Sequence, residues 1–401
     1  MQLLRGLLGV IVILGICLLL SRNRRAIRIR VVWTGLALQV ALAVTLFKTE
    51  WGKSGVDWLT RFAEKFLSFS YTGSQFVFGD LGQKGGGFYL AFQALPIVIY
   101  FSAVTAVLYH LGILQVAVWA AGRVLGKILG VSGAEAMSVV ADIFVGMTEA
   151  PLVVRPYIEK MTQSELLALM TGGLSTIAGT VLGVYMAFVG NQYAPHLIAA
   201  SFMAAPASFV LAKIVLPETE KPVTGEGVEL AFNRPAANLL DAIAQGVRDG
   251  LHLALNIAAM LIAFYSLIAL VNWPLEAFGT SLQKLLGVVL SPFAWVLGVD
   301  WSEADSVGGL LGTKLVANEF IAYRDLQSMI QRSELSSHGC VIATYALCGF
   351  ANFGSIGVIL GGLGQLAPSR RADLARLAVP AMVTGALTNC LTAAIAGAIV
   401  R

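Results

Sequence analysis

Apolar stretches long enough to cross a lipid bilayer recur along the whole of this chain. A membrane-spanning helix needs about 20 predominantly apolar residues, and ordinary soluble domains rarely contain such runs. Only 12% of the 401 residues are charged, against about 25% in soluble domains. We therefore expect an all-α polytopic membrane protein, and not a cytosolic enzyme or a nucleic-acid-binding protein. The eight transmembrane helices are predicted at 2–20, 31–47, 88–118, 166–188, 197–215, 250–272, 338–361 and 377–400.

The charges around the first apolar stretch predict its orientation. Five arginines and no acidic residue follow this stretch: Arg22, Arg24, Arg25, Arg28 and Arg30. A signal peptide has its basic residues before the apolar core, so we expect a retained helix. Basic residues mark the cytoplasmic side of a membrane. With eight spans, both termini should then lie on the periplasmic or extracellular side.

Two further stretches, 133–162 and 300–332, are apolar enough to enter the membrane but are interrupted by charged residues and glycine. Counting either as a full span would place the basic residues Arg370, Arg371 and Arg376 on the wrong side. We therefore predict two re-entrant helical hairpins. A polar span follows each, so the two halves form an inverted repeat. Irregular backbone at membrane depth lines a cavity, and broken segments in matching positions of two halves point to a transport site.

The regions between these elements have simpler interpretations. Residues 48–70 mix charges with aromatic residues at helical spacing, which is typical of an amphipathic helix lying along the membrane interface. Residues 217–235 are predicted to be a hydrophilic linker between the two halves.

Charged residues inside the predicted hairpins are functional candidates, because burying a charge in a bilayer is costly. The alternative is that Glu149 with Arg155, or Lys314 with Glu319, forms a structural ion pair. The chain contains no P-loop, no GxSxG motif and no zinc-ligand pattern. We therefore predict secondary transport without a cofactor, and no enzymatic activity.

Several longer motifs make the interpretation more specific. They are GMTEAPLVVRP at 146–156, MTQSEL at 161–166, ETEKP at 218–222, VANEFIAY at 316–323, CGFANFGSIG at 348–357 and LAPSRR at 366–371. Through these motifs the sequence resembles the concentrative nucleoside transporter family over essentially its whole length. The resemblance implies a homotrimer in which a scaffold holds the trimer together and a transport domain moves as an elevator. The expected regions are N-terminal scaffold helices and the interfacial helix at 1–120, the first transport half at 121–216, the linker at 217–235, a scaffold helix region at 236–275 and the second transport half at 276–401.

The resemblance also implies a nucleoside-binding site. The residues expected to face the nucleobase are Met147, Thr148 and Glu149. Those expected to bind the ribose are Glu319, Phe350, Asn352 and Ser355. A carboxylate suits the ribose, because hydroxyl groups donate hydrogen bonds and charge-assisted bonds are stronger than neutral ones.

The coupling ion is implied to lie beside the first hairpin, at Asp142, Val145, Thr176 and Ile177. Val145 and Ile177 would offer only backbone carbonyl oxygens. Sodium-coupled relatives usually have a neutral residue where this chain has Asp142. A carboxylate there can bind Na⁺, or it can carry a proton, because burial favours its neutral form. The coupling ion is therefore Na⁺ or, alternatively, H⁺.

Met147 is a second departure, because relatives usually have a glutamine that bonds the base at this position. A thioether accepts hydrogen bonds only weakly and cannot donate them, so we predict an altered base preference. The leading hypothesis is a cation-coupled nucleoside symporter of a bacterial inner membrane. The alternatives are a transporter of a modified nucleoside or another ribosylated compound, and a passive nucleoside channel or sensor.

Overall fold

A computed structural model describes residues 2–83, 89–225 and 236–400, and these residues form α-helices and short helical turns without a strand. The helices in the first half are α1 (Gln2–Leu20), α2 (Ile29–Lys48), α3 (Glu50–Phe78), α4 (Leu95–His110), α5 (Ile113–Leu129), α6 (Gly133–Asp142), α7 (Arg155–Ile158), α8 (Gln163–Ser175), α9 (Gly179–Val189) and α10 (Ala194–Val215). Those in the second half are α11 (Leu239–Glu276), α12 (Leu282–Val296), α13 (Ala304–Val316), α14 (Glu319–Gln331), α15 (Ser337–Leu347), α16 (Phe353–Leu366) and α17 (Arg371–Ile399).

Seven segments of the described chain are long and apolar enough to cross a membrane. They correspond to seven of the eight predicted spans. The eighth, at 338–361, is not one continuous helix: it consists of α15 and α16, separated by residues 348–352. The predicted span at 166–188 is likewise broken between α8 and α9 at residues 176–178. Polar and glycine residues at both breaks allow the backbone to leave the helical path.

One predicted span has the wrong boundaries. The stretch 88–118 is not a single helix, because α4 ends at His110 and α5 begins at Ile113. Gly112, between them, has a φ of 82°, a left-handed conformation that glycine adopts without steric cost. The chain therefore turns here, although the residues around the turn are mostly apolar, with His110 and Gln115 as exceptions. Residue 88 itself lies outside the described residues.

Both predicted hairpins are confirmed as pairs of packed helical segments. In the first, α6 is followed by an irregular tip at 143–149, and the chain returns through a 3₁₀ segment (Ala150–Val154) and α7. In the second, α13 and α14 pack against each other across a two-residue tip, Ala317 and Asn318. Each hairpin is followed by a broken helix and then by a long helix, α10 or α17. The two halves thus repeat the same order of elements.

The predicted amphipathic helix is longer than expected, because α3 extends to Phe78. Apolar side chains on its outer face are exposed, among them Trp51, Trp58 and Phe62. Of the predicted linker 217–235, residues 217–225 contain no helix, and residues 226–235 lie outside the described residues.

The core lies around α8, α9, α10 and α17, most of whose residues are buried. By contrast, α4 and α11 pack along each other at one side of the molecule. Most of the 38 residues of α11 lie outside the core, and apolar side chains such as Leu255 and Ile262 are exposed. Exposed apolar side chains on a long helix are expected where lipid or another subunit covers them.

Buried charges fix the base of the first hairpin. Ser132 and Thr162 begin α6 and α8 with capping boxes, in which Glu135 and Glu165 accept hydrogen bonds from the backbone of Ser132 and Thr162. The Nζ atom of Lys213 lies 2.6 Å from a Glu135 carboxylate oxygen. The Ser132 hydroxyl also donates to a Glu165 carboxylate oxygen at 2.5 Å. The hairpin base is thus tied to the start of α8 by Ser132 and to the end of α10 by Lys213.

Candidate functional site

The second hairpin and the two broken helices meet at a buried carboxylate, Glu319. Glu319 is the first residue of α14 and is 2% exposed. The Tyr185 hydroxyl donates to one carboxylate oxygen at 3.0 Å, and the Asn352 side-chain amide donates to the other at 2.8 Å. Its place at a helix N-terminus further favours a negative charge. The Glu319 carboxylate is therefore oriented from two sides.

Asn352 and Ser355 lie beside this carboxylate at the start of α16. The Asn352 side-chain oxygen accepts a hydrogen bond of 2.8 Å from the Ser355 backbone amide, which caps the helix. Because its amide nitrogen points to Glu319, Asn352 has one fixed rotamer. Phe350 is half-buried in the break just before it. The structure thus brings three of the four residues implied for the ribose, Glu319, Asn352 and Ser355, into one hydrogen-bonded group.

A second set of polar residues holds the two helix breaks together. Asn389 of α17 donates from its side-chain nitrogen to the carbonyl oxygens of Ser175, at 2.6 Å, and Cys348, at 2.5 Å. Ser175 ends α8 and Cys348 follows α15, so both carbonyls belong to helix ends that lack an internal partner. Lys314 donates to the Asn389 side-chain oxygen at 2.7 Å and to the Ala346 carbonyl at 2.9 Å.

The structural ion pairs considered as alternatives do not form. Among the described residues, no nitrogen of Lys314 lies within 4 Å of the Glu319 carboxylate, and the same holds for Arg155 and Glu149. Lys314 is instead bonded to neutral oxygens. Glu149 is exposed at the first hairpin tip. Both acidic residues are therefore available for other partners.

The first hairpin tip contacts the break between α8 and α9. The Gly179 amide donates to the Phe144 carbonyl at 3.3 Å, and a Cβ atom on Gly146 would lie only 2.8 Å from Ala178 Cβ. Gly146 also has a φ of 109°, which other residues rarely adopt. Val145, Thr176 and Ile177, all buried, flank this contact.

Asp142 is the buried carboxylate at this junction. It is 1% exposed, and neither carboxylate oxygen has a hydrogen-bond partner among the described residues. Gly172 and Gly173 of α8 face it: Cβ atoms placed on them would lie 3.2 and 3.4 Å from its two oxygens. The Thr176 hydroxyl donates to the Gly172 carbonyl at 2.9 Å, which brings another oxygen to the same turn. A buried carboxylate without a partner suits a cation or a proton.

The residues implied for the nucleobase lie at the rim of the first tip. Met147 is half-buried and packs over Gly173, whose Cβ would lie 2.7 Å from Met147 Cβ. Thr148 packs against Gly362 of α16, at 3.5 Å from the position of a Cβ there. Gly362 lies seven residues, or about 10 Å along the helix, from Ser355. Thr148 therefore contacts α16 about two turns from Ser355.

Three residues with central contacts are absent from the sequence-based site: Tyr185, Lys314 and Asn389. Lys314 was recognised as an intramembrane charge, but without this role. Asn389 is a single amide in a long apolar helix, and such polar residues inside the membrane usually have a specific partner. Nothing in the sequence marks Tyr185 as a site residue, because aromatic residues are common in apolar spans.

Comparison with known proteins identifies the family of this chain. The chain matches the family models for the N-terminus (residues 8–81) and the C-terminus (residues 196–397) of the Na⁺-dependent nucleoside transporter, and the nucleoside recognition gate model at residues 91–192. The chain belongs to the Na⁺-dependent nucleoside transporter family. The predicted family is thus confirmed, as is the prediction of a transporter and not an enzyme. Solved relatives in inward- and outward-facing states confirm the all-helical, elevator-type fold.

Individual relatives cover the whole chain. An uncharacterized transporter of Haemophilus influenzae is 44% identical over 99% of this chain and 98% of its own. Sodium/nucleoside cotransporter 1 of Rattus norvegicus is 41% identical over 96% of this chain, which spans 62% of that protein. The solved structure of CNTnw in an inward-facing substrate-bound state has 42% identity and a TM-score of 0.96 over the full length of both chains. A CNTnw variant in an outward-facing state has a TM-score of 0.93.

Proposed function

We propose that this protein is a secondary active symporter that imports nucleosides across a bacterial inner membrane, driven by a cation gradient. The observation that carries the proposal is the oriented Glu319 carboxylate. An ionised carboxylate has about four acceptor sites, and among the described residues the side chains of Tyr185 and Asn352 occupy two of them. The remaining capacity suits the two neighbouring hydroxyl groups of a ribose. A site built in this way should reject analogues that lack these hydroxyls, because its own polar groups would stay unpaired.

Met147, Thr148 and Glu149 are proposed to contact the nucleobase. The position of Thr148, which contacts α16 about two turns from Ser355, supports this role. Thr148 and Glu149 supply polar atoms, whereas Met147 offers an apolar, polarizable surface. A modified nucleoside or another ribosylated compound is a second candidate substrate, which Met147 favours, since ribose recognition does not involve this residue.

Asp142, Val145, Thr176 and Ile177 are proposed to bind the coupling ion. Carbonyl, hydroxyl and carboxylate oxygens are the ligands that a hard cation prefers. The family supports Na⁺ as this ion. The unpaired carboxylate of Asp142 favours H⁺ as the second candidate, because a buried carboxyl group without a cation takes up a proton.

The proposed orientation is supported by contacts between chain segments at each end of the molecule. Arg5, near the predicted periplasmic N-terminus, forms an ion pair of 2.6 Å with Asp300. Alternation of the eight predicted spans places the segment between 272 and 338, which contains Asp300, on the same side. At the opposite end, the Arg22 amide donates to the Val215 carbonyl, and Arg370 donates to the Met161 carbonyl. The segments predicted to be cytoplasmic thus meet at one end.

The elevator movement is proposed to carry the two hairpins, the broken helices, α10 and α17 past a scaffold that includes α4 and α11. The domain boundaries predicted from the sequence stay part of this proposal, as does the homotrimer. Two observations support the division. The core is concentrated in the first group, and Met260 of α11 reaches Gly354 beside the candidate ribose site. Solved relatives in inward- and outward-facing states support the movement.

Uridine uptake into proteoliposomes tests this function. An inward Na⁺ gradient and an inward H⁺ gradient are applied separately, with internal uridine concentration as the readout. Accumulation above the external concentration is expected with at least one gradient, because only coupled transport moves a solute uphill. Equilibration without accumulation would instead identify a passive channel, and binding without uptake a sensor.

Met147 provides a test of the base site. Replacing Met147 with glutamine should change the ratio of pyrimidine to purine nucleoside uptake by roughly fivefold, because one added hydrogen bond is worth about 1 kcal/mol. Competition of unlabelled nucleosides against labelled uridine measures this ratio. Met147→Leu is the matched control: it retains an apolar side chain of similar volume and should leave the profile unchanged. An unchanged profile in Met147→Gln would contradict the proposed base contact.

A further inference from the structure

A cavity of about 680 Å³ lies at the predicted cytoplasmic end of the molecule. It is enclosed by the start of α2, by α5, by the base of the first hairpin and by the end of α10 with the residues that follow it. None of the candidate nucleoside or ion residues lines it. The cavity is therefore separate from the candidate nucleoside and ion sites, and the proposed transport mechanism assigns it no role.

Positive charge is in excess around this cavity. Among the described residues that line it, cationic side chains outnumber anionic ones, namely Arg28, Arg123, Lys127 and Lys213 against Glu135 and Glu218. The two carboxylates are matched with Lys213, whose Nζ atom lies 2.6 Å from Glu135 and 3.7 Å from Glu218. Within the described ranges, no carboxylate oxygen lies within 4 Å of the charged nitrogens of Arg28, Arg123 or Lys127. Three cations thus remain for an external anion.

The outer face of α5 shows which kind of anion fits. Arg123 and Lys127 lie one turn apart and are exposed, and the Arg123 guanidinium lies 5.2 Å from the centre of the Trp119 ring. Val124 and Ile128 are exposed beside them. A basic stripe next to exposed aliphatic side chains is typical of a helix in the membrane interface. A free phosphate would use only the cations, whereas a phospholipid uses both surfaces.

We propose that this cavity binds the headgroup of an anionic phospholipid, such as phosphatidylglycerol or cardiolipin. Arg28, Arg123 and Lys127 contact the phosphate, and the acyl chains lie along Val124 and Ile128. Basic pockets between transmembrane helices on the cytoplasmic side bind such headgroups. Since the cavity wall includes the hairpin base, the bound lipid connects α2 and α5 to the first hairpin.

Lipid titrations of the purified full-length protein in detergent test the proposal. Phosphatidylglycerol should raise the melting temperature with a saturable dose dependence, and phosphatidylcholine should not. Each cation near an anionic lipid surface is worth about fivefold in affinity, so the Arg123→Gln, Lys127→Gln double variant should bind roughly 30-fold more weakly. Arg371→Gln with Arg376→Gln is the matched control. It removes two exposed arginines at the same predicted end and should titrate like the wild type.

Three results would overturn the proposal. An equal effect of phosphatidylcholine would show that the headgroup charge is not recognised. A double variant with wild-type lipid affinity would exclude this cavity as the site. Soluble glycerol phosphate that stabilises the protein as strongly as the lipid would assign the cavity to a free anion. Native mass spectrometry of the wild type and the double variant, which counts retained lipids, provides a readout independent of melting.

Discussion

Replacing Glu319 with alanine should reduce the apparent affinity for uridine by roughly 100-fold, because two charge-assisted hydrogen bonds to the ribose, together about 3 kcal/mol or more, are lost. The same change leaves the Tyr185 hydroxyl and the Asn352 amide without their acceptor. Uptake of labelled uridine at varied concentrations measures the effect. Glu319→Gln is also expected to be impaired, because a neutral amide places a donor where Asn352 already donates.

The comparison with 2′,3′-dideoxyuridine makes this prediction specific to the ribose. The wild type should prefer uridine strongly. Glu319→Ala should transport or bind both compounds about equally, because it lacks the carboxylate that would bond the 2′- and 3′-hydroxyls. Glu334→Gln, a change of an exposed glutamate after the second hairpin, is the matched control and should retain wild-type preference. Persistent discrimination by Glu319→Ala would assign ribose recognition to other residues.

Replacing Asp142 with asparagine should abolish proton-driven accumulation, because an amide of the same size cannot take up and release a proton near neutral pH. With only an inward H⁺ gradient, internal uridine should fall from accumulation to simple equilibrium or below. With only an inward Na⁺ gradient, uptake should continue, since the amide oxygen still provides a neutral ligand beside Thr176. Proteoliposome uptake under each gradient measures both outcomes.

Asp305→Asn provides the control for this change, because Asp305 is an exposed acid on α13 and lies outside the candidate ion site. It should respond to both gradients like the wild type. If Asp142→Asn accumulates uridine with protons alone, the proton-carrying role of Asp142 is wrong. If the wild type uses only Na⁺, Asp142 acts as a cation ligand, and the asparagine variant should then require a higher Na⁺ concentration for half-maximal uptake.

Much of the fold follows from signals that are local in sequence. The spans at 2–20 and 31–47 are long apolar runs, and the basic residues between them define their orientation. The hairpins were predicted because apolar stretches contained charges that a full span would not tolerate. The turn at Gly112 was missed, since the residues around it are mostly apolar and hydropathy cannot detect a change of direction. Two features of that predicted span, its length and its internal glycine, could have indicated that it is interrupted.

The resemblance located the candidate site residues, but not the contacts that orient them. Asn389 is 214 residues from Ser175 and 41 from Cys348 in the sequence, and both of its acceptors are backbone carbonyls. A main-chain carbonyl carries no residue-specific signature, so no pattern in the chain predicts such a bond. Tyr185 bonds the Glu319 side chain across 134 residues, and a lone tyrosine in an apolar span does not indicate a partner so distant in the sequence. Their roles become visible only once the helices are packed.

The two hydrogen bonds that the Asn389 side chain donates couple the free energies of opening the two helix breaks. The first break lies beside Asp142, and the second ends at Asn352, so one amide group connects the neighbourhoods of the candidate ion and ribose sites. If either break rearranged by itself, the amide would lose one acceptor in a buried environment, at a cost of about 1–3 kcal/mol. Fluctuations that open the two breaks together are therefore favoured over independent ones, and this provides a route by which occupancy of one site alters the order of the other.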